Sequence, residues 1–195
     1  MHLLSFNLPK IELHAHIGGC IRSETFLELT EKKGINIEHL DFYSMSLEMA
    51  FEVFKVSAQI LTDLPTLERV TREIIDDYAK FNTIYLELRS SPKIYQGSTM
   101  EQYVDSLIKV MAEKEGAIKT RYLMSFNRAQ SEEQFAETTR LAKKFIVEEK
   151  NPFVVGVEVS GHPQHGSFAK LLPYLRELKE LGVKISIHTS ETPEQ

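Results

Sequence analysis

Val154-Val155-Gly156-Val157-Glu158-Val159-Ser160 is an almost unbroken β-branched run. A strand with one wet face alternates apolar and polar residues. A strand that does not alternate is covered on both faces, as in a parallel sheet lined by helices. The flanking sequence repeats that arrangement. Downstream, a helix from about Ser167 to Leu181 stops at Gly182, and a short strand follows over 184–188. Upstream, a strand over 119–126 precedes the capping box Ser131-Glu132-Glu133-Gln134, which opens a helix to about Glu149.

The same alternation runs back to the N-terminus. Ser98-Thr99-Met100-Glu101 reads as a second capping box, and Met100, Tyr103, Val104, Leu107, Ile108 and Met111 form an apolar stripe at helical spacing. That stripe is core packing against a sheet. Before it come the strand Thr83–Arg89, a helix opened by Pro65 and running to about Lys80, and a helical stretch over 46–61. Ser23 is placed to cap a helix through Lys33, with Gly34 ending it. Strands alternating with helices imply a parallel sheet with right-handed crossovers. At most five βα units fit, in one domain spanning 1–195.

The residues with chemistry gather at strand ends. His14 and His16 follow the first strand, Arg89 the second, Asn127 and Arg128 the third, Gly161 the fourth, and His188 and Glu191 the fifth. Active sites of (β/α)8 TIM barrels lie at that end. A doubly wound sheet would need a glycine-rich phosphate loop after its first strand, and Gly18-Gly19 is too little for one. The fold class is therefore α/β, a (β/α)8 TIM barrel truncated after about five units and C-terminally incomplete.

Lys10-Ile11-Glu12-Leu13-His14-Ala15-His16 ends in two histidines at i and i+2, which leave a strand on one side. The glycine pair behind them is expected to leave open space. Such a pair also arises by chance. Taken singly, His188 also suits a satisfied strand-end histidine and Glu191 a helix-start acid. Together, three histidines at the ends of two strands match the ligand set of an open catalytic zinc site, with a nearby Glu as proton carrier. One Zn2+ ion is the expected cofactor.

Composition narrows the class. The chain has 195 residues, 42% hydrophobic and 26% charged, with a net charge of −5 and no Lys/Arg cluster, which argues against a nucleic-acid polymer as partner. Cys20 is the only cysteine. It reads as a small buried filler or, less simply, a reactive thiol, and no intramolecular disulfide is possible. The N-terminus lacks a signal peptide's basic and apolar regions, and no run reaches membrane-spanning length. A cytoplasmic protein with no membrane partner, monomeric when complete, is expected.

Leu8-Pro-Lys-Ile-Glu-Leu-His14-Ala-His16, Tyr85-Leu-Glu-Leu-Arg89-Ser-Ser-Pro92, Gly156-Val-Glu-Val-Ser-Gly161 and His188-Thr-Ser-Glu191 together resemble successive signatures of the adenosine deaminase family. The wording is most similar to its adenosine deaminase-like branch, which acts on N6-methyl-AMP. The resemblance implies a hydrolase of purine metabolism, converting N6-methyl-AMP to IMP and methylamine. It implies that His14, His16 and His188 bind zinc. Glu191 would protonate the ring nitrogen beside the attacked carbon, and the Gly161 backbone would hold the base. His16, Gly18, Arg89, Asn127 and Gly161 are the implied substrate contacts. Gly18 stands where the family has an acidic or amide residue, and Asn127 where the branch has Asp. Arg89 and Arg128 suit a phosphate or a solvated or structural role equally. The family's later His-Gly motif and Asp pair would lie beyond Gln195, so the chain alone is expected to be inactive.

Other classes remain: adenosine deaminase proper, a TatD-like nuclease or dinuclear amidohydrolase, and a non-catalytic truncated isoform. A bridging Lys on the fourth strand would favour the dinuclear type; Val154–Ser160 has none, although Glu158 could bridge in some relatives. The zinc site of cytidine deaminases needs a Pro-Cys-x-x-Cys pair, which one cysteine excludes.

Overall fold

In the computed structural model, which describes residues 7–42 and 46–192, five strands form one sheet in chain order, every neighbouring pair parallel. They are β1 (Lys10–His16), β2 (Thr83–Ser90), β3 (Lys119–Asn127), β4 (Val154–Ser160) and β5 (Ile185–Ile187). Helices α1 (Ser23–Lys32), α2 (Leu47–Ile60), α3 (Leu64–Lys80), α4 (Met100–Lys114), α5 (Glu132–Ala142) and α6 (Phe168–Glu180) connect them. The N-terminal residues 1–6, read above for a leader, lie outside the described residues.

Alternation along the strands sorts the two faces. Leu86, Leu88, Tyr122, Met124, Phe126, Val157 and Val159 are buried in one core with Leu67, Ile74, Leu107, Phe135, Leu141 and Leu178 from the helices. The intervening Arg89, Ser125 and Glu158 join one another on the concave face. So β4 reads as continuously covered because helices pack one face and the curl of the sheet closes over the other.

That curl is measurable. In a flat sheet, four steps of about 4.8 Å hold the first and fifth strands about 19 Å apart, more than two imidazoles can bridge. Here His14 Nε2 and His188 Nε2 are 2.8 Å apart across 174 residues. The architecture is a curled half-barrel, five strands of an eight-stranded barrel. The pairing of β1 to β2 slips between Glu12 and Ala15. The Glu12 carboxylate accepts from the His14 N–H at 2.7 Å and Arg89 donates to the Leu13 carbonyl, so the bulge leaves neither group bare.

Several local expectations shift. The capping box of α4 is Thr99 with Gln102, not Ser98 with Glu101. The Ser98 hydroxyl instead closes its own turn onto Tyr95, and Glu101 pairs with Arg140 and Lys144. Ser131 and Gln134 form the box expected for α5. Ser23 does not cap α1: the helix already includes it, and the capping position falls on Arg22 with no side-chain cap. The helix expected to run to Glu149 leaves α geometry at Ala142 and continues as π-helix over Lys143–Glu148. Among the described residues no helix is long and apolar enough to cross a membrane.

Candidate active site

Three imidazoles meet where β1 ends and the chain leaves β5. The Nε2 atoms of His14 and His16 are 3.1 Å apart, those of His14 and His188 2.8 Å, and those of His16 and His188 3.1 Å. Among the described residues this is the one cluster able to hold a metal ion. His188 Nδ1 lies 3.0 Å from the Val159 carbonyl, which can only accept; a proton therefore sits on Nδ1, and in the neutral ring Nε2 is bare. Burial lowers the His16 pKa to about 4. Burial, with Arg89 nearby, also lowers that of His14, so both rings stay neutral at ordinary pH. Neutral nitrogens sharing one point have too few protons to satisfy one another. A cation resolves that: bonds of about 2.0–2.1 Å to a tetrahedral zinc give nitrogen separations of about 3.3 Å, a few tenths wider than the triangle seen. The donor set fits zinc.

Behind the triangle lies Glu158, fully buried. Its carboxylate accepts from Arg89 Nη1 at 2.7 Å and Ser125 Oγ at 2.5 Å, and stands 3.3 Å from His188 Nδ1 and 3.9 Å from His16 Nδ1. Burial pushes its pKa up, but the hydrogen bonds from His188 and Ser125 and the nearby charge of Arg89 outweigh burial and hold it below the usual carboxylate range. The same contact raises His188. Glu158 faces the Nδ1 side of the rings, away from their Nε2 atoms, a position suited to orienting the rings and not to bridging two metals at Nε2.

The other expected site residues divide. Gly18 gives its carbonyl to Ser57 Oγ at 2.7 Å. The glycine pair does not leave open space: Phe54 of α2 fills it, and a Cβ on Gly19 would stand 3.1 Å from the ring. Phe54 also meets the His16 ring edge-on at 5.9 Å. The Asn127 side chain accepts from the Ala129 N–H at 3.0 Å and so shapes its own turn. Arg89 and Arg128 are 4% and 5% exposed, with Nη atoms of both guanidiniums bonded to protein groups. Gly161 (φ +100°) and Glu191 sit together with Arg128, whose Nη1 donates to the Gly161 carbonyl at 2.7 Å and lies 3.7 Å from Glu191 Oε2. Cys20 is half-buried against the Tyr78 hydroxyl, and burial raises its thiol pKa, so a reactive thiolate is disfavoured.

One cavity adjoins the triangle, and a second is lined by other residues. The first, of about 410 Å3, is lined by His14, Arg89, Ser186, His188 and Glu191. The second, of about 650 Å3, lies between the end of α2 and the segment after β2, lined by Ala58, Thr62, Lys93 and Tyr95. Lys93 makes no ion pair among the described residues, and burial lowers its pKa. Among the described residues the buried Tyr95 hydroxyl has no hydrogen-bond partner. The sequence reading missed Lys93, Tyr95 and Phe54. It weighed Glu158 only as a bridge, although a charge inside a β-branched run announces a buried group in need of partners.

A family model described as adenosine deaminase matches residues 9–194. The chain is 35% identical over 197 residues to the N6-methyl-AMP deaminase of Mus musculus, covering 95% of this chain and 54% of that one. The crystal structure of Arabidopsis N6-mAMP deaminase superposes with a TM-score of 0.86 at 34% identity, covering 99% of this chain and 62% of that one. An ADAL–IMP complex does so at 0.87 and 33%, covering 99% and 61%. The chain thus spans a little over half the length of these relatives, and it belongs to the adenosine deaminase family.

Proposed function

We propose that the chain carries the metal and base-binding part of a zinc-dependent deaminase acting at purine C6 of a nucleoside monophosphate. The substrate is N6-methyl-AMP, which water converts to IMP and methylamine. The Nε2 triangle of His14, His16 and His188, with Glu191 three residues further on, carries this reading. These histidines would hold one zinc ion, which supplies Lewis-acid activation of water. Glu191 carries a proton to the ring nitrogen as attack at C6 breaks aromaticity. The Gly161 backbone holds the far edge of the base, and Arg128 keeps that peptide in place. Arg89 holds Glu158, and Glu158 orients His188 and His16. Lys93, which makes no ion pair among the described residues, is a cation near the strand ends for a phosphate, and the IMP-bound relative supports a nucleotide.

The protein-bonded arginines also favour a second reading, adenosine deaminase proper, in which no phosphate is bound. The test is substrate choice in the full-length barrel together with metal content. One zinc per chain and hydrolysis of N6-methyl-AMP ahead of adenosine support the proposal. Preference for adenosine, with no effect of Lys93→Ala on KM, selects the second reading. Absence of bound zinc overturns both.

A further inference from the structure

We propose that Arg128 is a positioning residue of the candidate active site, holding the ends of β4 and β5 at one spacing through its buried guanidinium. What those ends do rests on the function proposed above; the bonds themselves do not. Arg128 directly follows β3, and its side chain is 5% exposed. Nη1 donates to the Gly161 carbonyl at 2.7 Å, and Nη2 donates to the His188 carbonyl. Its peptide is used as fully: the N–H donates to the Ser160 carbonyl at 3.0 Å, and the carbonyl accepts from the Ser167 N–H at 3.3 Å. Gly166, at φ +82°, closes onto that peptide so tightly that a Cβ there would stand 1.9 Å from the Arg128 carbonyl oxygen.

One residue thus fastens the ends of three strands, and each bond falls on a group the chemistry needs. His188 is fixed on every side: its N–H donates to the Val159 carbonyl at 3.0 Å, its Nδ1 meets the same oxygen, and its carbonyl is taken by Arg128. With its main chain held there and Nδ1 on the Val159 carbonyl, Nε2 faces His14 and His16. The Gly161 carbonyl and the Glu191 carboxylate lie on the same guanidinium, so the base-binding peptide, a metal ligand and the proton carrier share one reference point. A planar fork can serve two carbonyls at once, whereas a lysine ammonium of the same charge has no fork. Loss of the side chain leaves two carbonyls without donors.

The test uses the full 195-residue chain, with cobalt(II) alone as the probe of the histidine triangle. Arg128→Ala should weaken cobalt affinity on the order of 10–100-fold, the usual effect of removing a group that orients a ligand. Arg128→Lys should recover only part of it, and millimolar guanidinium added to the Ala variant should restore binding. Without metal, amide exchange should rise together at the ends of β4 and β5 in Arg128→Ala while α3 and α4 keep their protection. Unchanged cobalt affinity with unchanged exchange at both strand ends overturns the proposal. So does a general loss of protection with no guanidinium rescue, which assigns Arg128 to folding alone. If the wild-type chain binds no cobalt, the metal reading of the triangle fails, and the exchange measurement still decides the role of Arg128.

Discussion

Glu158 shows what a single side chain does here. An ionised carboxylate buried mid-strand is tolerable only when paired and hydrogen-bonded, and Arg89, Ser125 and His188 supply that. Glu158→Leu leaves Arg89 buried without its ion pair, and a loss of about 3–5 kcal/mol in urea unfolding is expected. A loss below about 1 kcal/mol, the scale of an exposed pair, would mean Arg89 has another partner and Glu158 is dispensable. On the proposed function, Glu191 belongs to the chemistry rather than the fold. In the full-length barrel, Glu191→Gln should keep zinc while turnover falls on the order of 10²–10⁴-fold. Near-normal turnover removes it from the mechanism. Legibility differs between these residues for a physical reason. His14, His16 and His188 could be read because strand period and strand ends place them. Arg128 could not, because the direction of a long side chain is set by partners from other strands.

At the scale of elements, local signals were readable where one residue owned the signal. Ser131 and Gln134 stand alone and were placed correctly, and the residue types around β4 announced its covered faces. Ser98 and Thr99 are adjacent hydroxyls, each followed three residues on by an acid or amide, and local sequence does not choose between them. Tertiary partners do: Arg140 and Lys144 claim Glu101, leaving Gln102 for the box. Thr99→Ala should cost about 1 kcal/mol, whereas Ser98→Ala, which removes only a turn contact, should cost less. Equal losses in thermal unfolding of the two variants would contradict the assignment. The glycine pair after His16 escaped reading for a related reason. Its neighbour Phe54 comes from a helix that lies far along the chain.

For the whole molecule, the open sides of the sheet dominate. Ile11 and Leu13 of β1 are 64% and 52% exposed, and Ile187 of β5 is 43% exposed, all on strands with a neighbour on one side only. Exposed apolar edges of this kind recruit other chains. We expect the isolated chain to associate at micromolar concentration and not to turn over N6-methyl-AMP, AMP or adenosine. Ile11→Lys combined with Leu13→Lys should lower light scattering. A monodisperse chain with a sharp unfolding transition and measurable turnover overturns this expectation. The meeting of His14 with His188 has a further consequence. An ion held there is a reversible cross-link between positions 174 residues apart, and closing a loop that long costs little more than closing one half its size. Free zinc at 100 times its dissociation constant would add about 2.7 kcal/mol to the curled form. If zinc is that ion, its availability would be a thermodynamic control on shape, and a chelator would act on this molecule as a mild denaturant whose first effect is to let its two edges part.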